Sequence, residues 1–260
     1  MDLNLKGKRA LVTGGSKGIG RACAQVLAEE GCSVMIASRD GAALEAAAVD
    51  IKSKTGADVK WKAADLSQRG AAEDLAKWAA QSGPVDILVN NAGAIPGGDL
   101  LKVDEDTWRK AWDLKVFGYI NLTRAVYAQM KARKSGVIVN VLGNAGEKLN
   151  AAYIAGSAAN AGLMAFTRAL GGASHADGIR VVGVSPGPVA TDRLLSLYKQ
   201  MAATKLGDAN RYEELFTGMA FNRPATAEEI AWTVAFTASD KSAYTTGIYI
   251  TIDGGLAARS

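Results

Sequence analysis

The residue types best suited to chemistry first gather near the start of the chain. Thr13-Gly14-Gly15-Ser16-Lys17-Gly18-Ile19-Gly20 follows a short apolar strand, Ala10-Leu11-Val12, and leads into a helical pattern from Arg21. Glycine tolerates positive φ and lets a backbone approach a ligand, while a helix start presents unpaired N–H groups and a positive dipole end. Such a turn can cradle phosphate. Glycines at 14, 18 and 20 fit neither a strict G-x-G-x-x-G nor a Walker A loop. Gly14, Ser16, Lys17, Gly18, Ile19 and Gly20 are therefore candidate contacts to a dinucleotide, the alternative being a ligand-free strand-to-helix turn. Ser38 and Arg39 end the next strand, where an NAD-selective fold often carries an acidic residue for the ribose hydroxyls. Arg39 can instead pair with a 2′-phosphate, and Lys17 adds a second cation. This favours NADP(H) over NAD(H), unless Arg39 is merely a solvated residue at a strand end.

Other reactive types offer less. The single histidine, His175, stands near the end of a helical run, where contact with terminal carbonyls explains it better than a Ser-His-Asp mechanism does. Cys23 and Cys32 lie in apolar settings without C-x-x-C spacing and are expected to be buried, reduced thiols. The 260 residues carry a net charge of +4, with 48% hydrophobic and 22% charged side chains. No basic run with interleaved aromatics marks a nucleic-acid partner. Met1 to Lys8 lacks the apolar core of a signal peptide, and no later run approaches the ~18 residues of a membrane span. The expectation is a cytoplasmic protein with no membrane partner and no metal site.

The elements that must position these residues alternate. A helix to Gly31 and the strand Ser33 to Ala37 complete one βαβ unit. Helix Ala42 to Lys54, strand Val59 to Ala63, a helix opened by Asp65-Leu66-Ser67 and running through Trp78, and strand Val85 to Val89 follow. That last strand ends abruptly in Asn90-Asn91-Ala92-Gly93. A long helix, Asp106 to Lys131, carries Lys115 within or beside an apolar stripe. Strand Val137 to Val141, an irregular loop to Asn150, helix Ala152 to His175 and strand Arg180 to Val184 come next. Residues 192–223 break the rhythm with short helices of mixed apolar and charged character, as a mobile, apolar-lined substrate cover would, or alternatively a partner-facing hairpin. A capping box at Thr226 to Glu229 starts the last helix, and Gly247 to Ile252 is the last strand. This pattern predicts an α/β fold: one domain over 1–260, with a parallel sheet covered on both faces and ligands at the carboxyl ends of its strands. Asp65 and Asn90 lie at that edge.

Taken together, Thr13-Gly-x-x-x-Gly18-x-Gly20, Asp65, Asn90-Asn91-Ala92-Gly93, Tyr153, Pro186-Gly187 with Thr191, and Asp253-Gly254-Gly255 resemble the short-chain dehydrogenase/reductase family over essentially the whole chain. The resemblance implies a seven-stranded, doubly wound Rossmann sheet, NAD(P)(H), hydride exchange between a carbonyl and an alcohol, and a homo-oligomer, usually a tetramer, otherwise a dimer. It places Asp65 and Leu66 at the adenine, Asn90, Ala92 and Gly93 at the adenosine ribose, and Pro186, Gly187, Val189 and Thr191 at the nicotinamide.

The family's catalytic set is Asn, Ser, Tyr and Lys, the last two spaced Tyr-x-x-x-Lys. Here Tyr153-Ile154-Ala155-Gly156-Ser157 puts serine at the lysine position, Gly143 stands for the serine, and Lys115 replaces the helix asparagine. A tyrosine with a pKa of about 10 is a poor base near neutrality, and an adjacent ammonium favours its phenolate. Lys115 is therefore read as a relocated cation reaching the same place from the opposite helix, though its long chain can equally carry an ammonium to water. Asn144 and Ser157 are candidate donors to a substrate carbonyl, or else a turn former and a small residue making room. The leading expectation is an NADP(H)-dependent oxidoreductase acting on a small molecule with apolar surface, with Tyr153 as acid/base. The alternatives are a dinucleotide-binding protein with little or no turnover, and a non-redox dehydratase or isomerase.

Overall fold

The computed structural model describes residues 1–259. Seven parallel strands form one sheet: β1 (Arg9–Thr13), β2 (Ser33–Ser38), β3 (Val59–Ala63), β4 (Ile87–Asn90), β5 (Gly136–Val141), β6 (Ile179–Pro186) and β7 (Tyr249–Ile252), in the order β3-β2-β1-β4-β5-β6-β7. The interior strands are mostly apolar, with buried polar residues near their carboxyl ends, because both faces are covered. One face packs on α1 (Gly18–Glu29), α2 (Gly41–Thr55) and, at the far end of the chain, α8 (Ala227–Ala238). The other packs on α3 (Ala71–Ala80) and α5 (Gly118–Arg133), with α6 (Ile154–Ser174) beside them. The chain runs outward from β1 to β3 and returns to the other side at β4, so the crevice between the ends of β1 and β4 is the switch point where ligands bind in such sheets. The seven-stranded, doubly wound architecture expected from the sequence is the one observed.

Three local readings change. Asp65-Leu66-Ser67 does not open a helix. The Asp65 carboxylate accepts from the Ser67 N–H at 3.1 Å and the Ser67 hydroxyl at 2.7 Å, a local turn that competes with helix, and α3 begins only after Gly70, at φ +83°. The long central helix is α4 (Glu105–Trp112) continued into α5 through a π-helical turn at Asp113–Phe117, which contains Lys115. Such a widened turn re-aims one side chain and recurs at functional sites. Within residues 192–223, α7 (Asp192–Leu206) is a regular 15-residue helix, packed on a 3-10 segment, Ala209–Phe216. Tyr198, Tyr212 and Phe216 join the two, with ring centroids 5.1 and 5.8 Å apart, so these aromatics fill the segment's own interior.

A buried polar ladder crosses the sheet beneath the ligand edge. Asn90 Nδ2 donates to Asn140 Oδ1 at 2.9 Å and Thr123 Oγ1 at 3.0 Å, and Asn140 Nδ2 donates to Thr167 Oγ1 at 2.9 Å. It links β4 and β5 to α5 and α6. Replacing Asn140 leaves a buried Asn90 N–H without its acceptor, at about 1–3 kcal/mol, and removes the donor to the Thr167 hydroxyl, which keeps its bond to the Leu163 carbonyl. Asn140→Leu is expected to lower unfolding stability by roughly 1–3 kcal/mol, seen as a lower urea midpoint at unchanged slope.

Candidate active site

The amino end of α1 faces the loop that follows β6. Gly14 and Gly18 take φ +67° and +57°, where a side chain is strained. Lys17, the residue before α1, caps it with no side-chain bond, so the helix's first N–H groups point outward unclaimed by a cap. Across the gap stands the Thr191 methyl, 3.2 Å from where a β-carbon on Gly18 would lie. A β-carbon on Gly20 would strike the Gly14 carbonyl, so Gly20 secures the turn. At the end of β2 the Ser38 hydroxyl is buried with no hydrogen-bond partner, next to an exposed Arg39. Burial raises the Asp65 carboxyl, but bonds from Ser67 and the charge of Arg39 outweigh it and leave it below the ordinary value. A cleft with outward N–H groups, an orphaned hydroxyl and a free guanidinium suits a phosphorylated ribose.

Several residues expected at the cofactor have their side chains engaged within the protein. Asn90 is fully buried with its side chain turned into the polar ladder, so a contact to a ribose at the cleft is left to its backbone. The neighbouring Asn91 acts instead: its Nδ2 donates to the Thr13 carbonyl at 3.0 Å, tying the β4 end to the glycine turn. Leu66 and Val189 are buried among apolar residues, and Ala92 packs against the same cluster as Leu66. Gly187 approaches Asp253 so closely that a β-carbon would lie 2.7 Å from the Asp253 β-carbon. Pro186, two residues before Pro188, ends β6 at the β7 pairing.

Tyr153 precedes α6 at φ −139° and ψ 43°, outside the helical region. Its ring folds back over the helix so that a β-carbon on Gly156 would fall on ring atoms Cε1 and Cζ. The phenol thus occupies the side-chain space of position 156. The residue sharing that helix face one turn on is Asn160, not Ser157. Asn160 is 4% exposed, donates from Nδ2 to the Gly156 carbonyl at 2.9 Å, and leaves Oδ1 buried without a partner. Its amide lies 3.1–3.3 Å from where a β-carbon on Gly143 would stand. Gly156-x-x-x-Asn160 has the spacing of the family's Tyr-x-x-x-Lys pair, a signal masked by the tyrosine three residues earlier.

The other three expected catalytic residues find different neighbours. The Ser157 hydroxyl accepts from the Asn150 N–H at 3.0 Å and clamps the loop before α6. Asn144 donates to the Asp253 carboxylate at 3.3 Å. Lys115 is 7% exposed, its chain running under Gly93, where a β-carbon would meet Cδ at 2.7 Å. Its ammonium donates to the Tyr119 hydroxyl at 2.9 Å and the Val141 carbonyl at 2.8 Å. Tyr119, one turn along the helix, itself donates to Val141 at 2.8 Å. With neutral partners only, burial pushes Lys115 from 10.5 down to about 7. Tyr153 is raised by burial, and the charge drawing it back is that of Arg193. Tyr119, Asn160 and Arg193 carry no motif of their own and were not legible beforehand.

The remaining titratable candidates stay outside. Cys23 and Cys32 are buried and unpaired, each thiol pushed up to about 12 by burial. His175 is exposed and borders a cavity of about 610 Å³ lined also by Lys8, Asp86 and Tyr244, at the opposite end of the strands. Among the described residues no group of three or more His, Cys, Asp or Glu side chains is placed to hold a metal.

The family profile described as short chain dehydrogenase matches residues 8–202. A 3-oxoacyl-(acyl-carrier-protein) reductase of Chlamydia muridarum is 34% identical over 258 residues, covering 99% of this chain and 100% of the relative. The acetoacetyl-CoA reductase of Shinella zoogloeoides is 34% identical over 248 residues, 95% and 97% of the two chains. Among solved structures, the L-sorbose reductase of Gluconobacter frateurii, in complex with NADPH and L-sorbose, matches with a TM-score of 0.94 at 29% identity over 100% of both chains. With its glycine turn, its switch-point cleft and this full-length similarity, the chain belongs to the short-chain dehydrogenase/reductase family and is an oxidoreductase of that family.

Proposed function

We propose that the protein is an NADP(H)-dependent oxidoreductase that interconverts a carbonyl and an alcohol on a small molecule with apolar surface. The observation that carries this reading is the Tyr153 ring lodged in the side-chain space of Gly156, which restores a phenol to the helix face where the family keeps its own. A nicotinamide bound at the cleft supplies or receives the hydride. The Tyr153 O–H donates its proton to the carbonyl oxygen as the alcohol forms, and the phenolate takes it back in the reverse direction. Gly14 to Gly20 and Thr191 would hold the diphosphate and nicotinamide regions, and Ser38 and Arg39 the phosphorylated ribose. Residues 192–223 would close over the substrate and exclude water. Lys115 would supply positive charge at the cleft floor beneath Gly93, acting on the phenol through the local field rather than by a direct bond.

Exposed Trp232 and Phe236 on α8 support a homo-oligomer, a tetramer or dimer. Among the described residues no helix is long and apolar enough to cross a membrane, and the buried, unpaired thiols suit a reducing compartment such as the cytoplasm. One observation favours the second reading, a dinucleotide-binding protein with little turnover: the Lys115 ammonium is engaged by Tyr119 and Val141 and not by Tyr153.

A panel of aldehydes, ketones and quinones, followed by nicotinamide fluorescence, separates the readings. Oxidation of NADPH by a panel member is expected. NADPH binding without turnover would favour the binding protein, and product formation at constant cofactor redox state a non-redox enzyme. Tyr153→Phe is expected to lower kcat by roughly 10²–10⁴-fold at unchanged NADPH affinity, as for loss of a general acid. Arg39→Glu is expected to weaken NADPH binding by about 10–100-fold and NADH binding far less, measured by fluorescence titration. Lys115 yields a stability test. Between about 7 and 10.5 the unfolded chain holds a proton on this group that the folded chain has lost, so its contribution to stability rises with pH across that window. Lys115→Met is expected to be the more stable protein below pH 7, with the advantage shrinking towards pH 10 in urea denaturation.

A further inference from the structure

The segment over the cleft is held on its carboxyl side by the Arg223–Glu229 pair at 2.7 Å and by Arg259 donating to the Gly218 carbonyl at 3.3 Å, and it is fastened also at its base and at one further point on the opposite rim. Its base is a two-bond bridge: Ala190 N–H donates to the Ala225 carbonyl at 2.8 Å, and Ala225 N–H to the Pro188 carbonyl at 2.9 Å. The further point is Arg193, in the first turn of α7, whose Nη2 donates to the Ile95 carbonyl at 2.6 Å. Among the described residues this is the side-chain hydrogen bond that joins α7 to the opposite rim. Ile95 is buried in the apolar cluster that Tyr153 packs against, together with Val103, Ala155 and Trp112. The guanidinium is therefore held at the edge of the pocket that holds the phenol.

Other charges around Tyr153 are committed elsewhere. On the loop after β4, Asp99 accepts from the Leu101 and Lys102 N–H groups and pairs with Lys102. On α4, Glu105 pairs with Arg109. In the π-helical turn, Lys115 is taken by Tyr119 and Val141. In the loop before α6, Lys148 donates to the Leu256 carbonyl and Glu147 accepts from Thr251. On α7, Asp192 is exposed beside Arg193. Arg193 has no acidic partner among the described ion pairs, so its charge meets one neutral carbonyl and solvent rather than a carboxylate.

We propose that Arg193 is the positioning residue of Tyr153: docked on the Ile95 carbonyl, it brings the missing cation to the phenol from the cover helix, so that closing the cover readies the tyrosine for proton transfer. This rests on Tyr153 being the acid/base group, and it moves the activating charge from a fixed residue in the catalytic helix to a movable one. Chemistry and cover position become coupled, because an open cover withdraws the guanidinium and leaves a half-buried phenol whose neutral form is favoured.

The test reads Tyr153 itself. Ultraviolet difference titration of the NADP-bound protein, with Tyr153→Phe as the blank, gives the pH at which this phenol ionises. Arg193→Met is expected to move that ionisation upward by about one pH unit and to lower kcat/KM near neutrality by roughly tenfold, with its alkaline rise shifted by the same amount. Arg193→Lys, which keeps the charge but not the fork, is expected to restore most of the titration and less of the rate. Circular dichroism and NADPH fluorescence check that both variants fold and bind. An unmoved phenol titration in Arg193→Met overturns the proposal. Should no carbonyl be reduced by the unaltered protein, the oxidoreductase reading fails while the titration still decides the role of Arg193.

Discussion

One buried hydroxyl holds the two halves of the cofactor cleft in register. Thr13, 1% exposed at the end of β1, accepts from the Asn91 N–H at 2.9 Å and the Ala92 N–H at 3.1 Å, and donates to the Val89 carbonyl at 3.4 Å. Asn91 returns a bond to the Thr13 carbonyl. The strands β1 and β4 are neighbours in space but lie more than seventy residues apart in the chain. Where their ends diverge, backbone groups lose their ladder partners and must be satisfied otherwise. Thr13 and Asn91 supply that satisfaction, and in doing so they set the glycine turn at a fixed distance from Gly93 and from the lysine chain beneath it. The phosphate end and the reacting end of the cleft are thus referenced to one residue.

What was legible beforehand was whatever local chemistry dictates. The alternation of strands and helices, the strand-to-helix glycine turn and the Thr226–Glu229 capping box each depend on a few adjacent residues, and the sheet, the turn's geometry and the cap are observed as read. The direction of the Asn90 side chain was not legible, because a terminal asparagine looks the same in sequence whether it meets ligand or core, and only Thr123, Asn140 and Thr167 across the sheet decide it. Ser157, open in sequence between a donor and a small residue making room, has its hydroxyl taken by the Asn150 N–H, a loop contact that no spacing from Tyr153 reveals.

Two departures from the family's catalytic set are linked substitutions of space: Gly143 leaves room for the Asn160 amide and Gly156 for the Tyr153 ring, while Gly93, which the family motif shares, accommodates the Lys115 chain. In each pair a missing β-carbon admits a side chain from elsewhere in the chain. Close-packed interiors make such pairs interdependent, because a displaced side chain needs both its new space and the removal of the old occupant. Restoring a tyrosine at 156 alone would therefore collide with Tyr153, and restoring a lysine at 160 alone would set a second ammonium near Lys115 with no carboxylate to receive it.

That interdependence bears on how the site can carry charge. Lys115 is held by a phenol and a carbonyl, neutral groups that orient an ammonium without stabilising it much against burial, which is why it falls to about 7. A group poised near neutrality serves a proton relay less securely than a permanent cation. Arginine cannot lose its proton in a protein, so a guanidinium at the rim supplies charge at any working pH. That reliability comes with a dependence on position: among the described residues, the side-chain hydrogen bond that ties α7 to the opposite rim is that of Arg193 to the Ile95 carbonyl. Under the proposed role of Tyr153, a fixed cation of variable charge at the floor and a permanent cation at the rim would be complementary solutions to one requirement, the stabilisation of a phenolate where the lysine of α6 is absent.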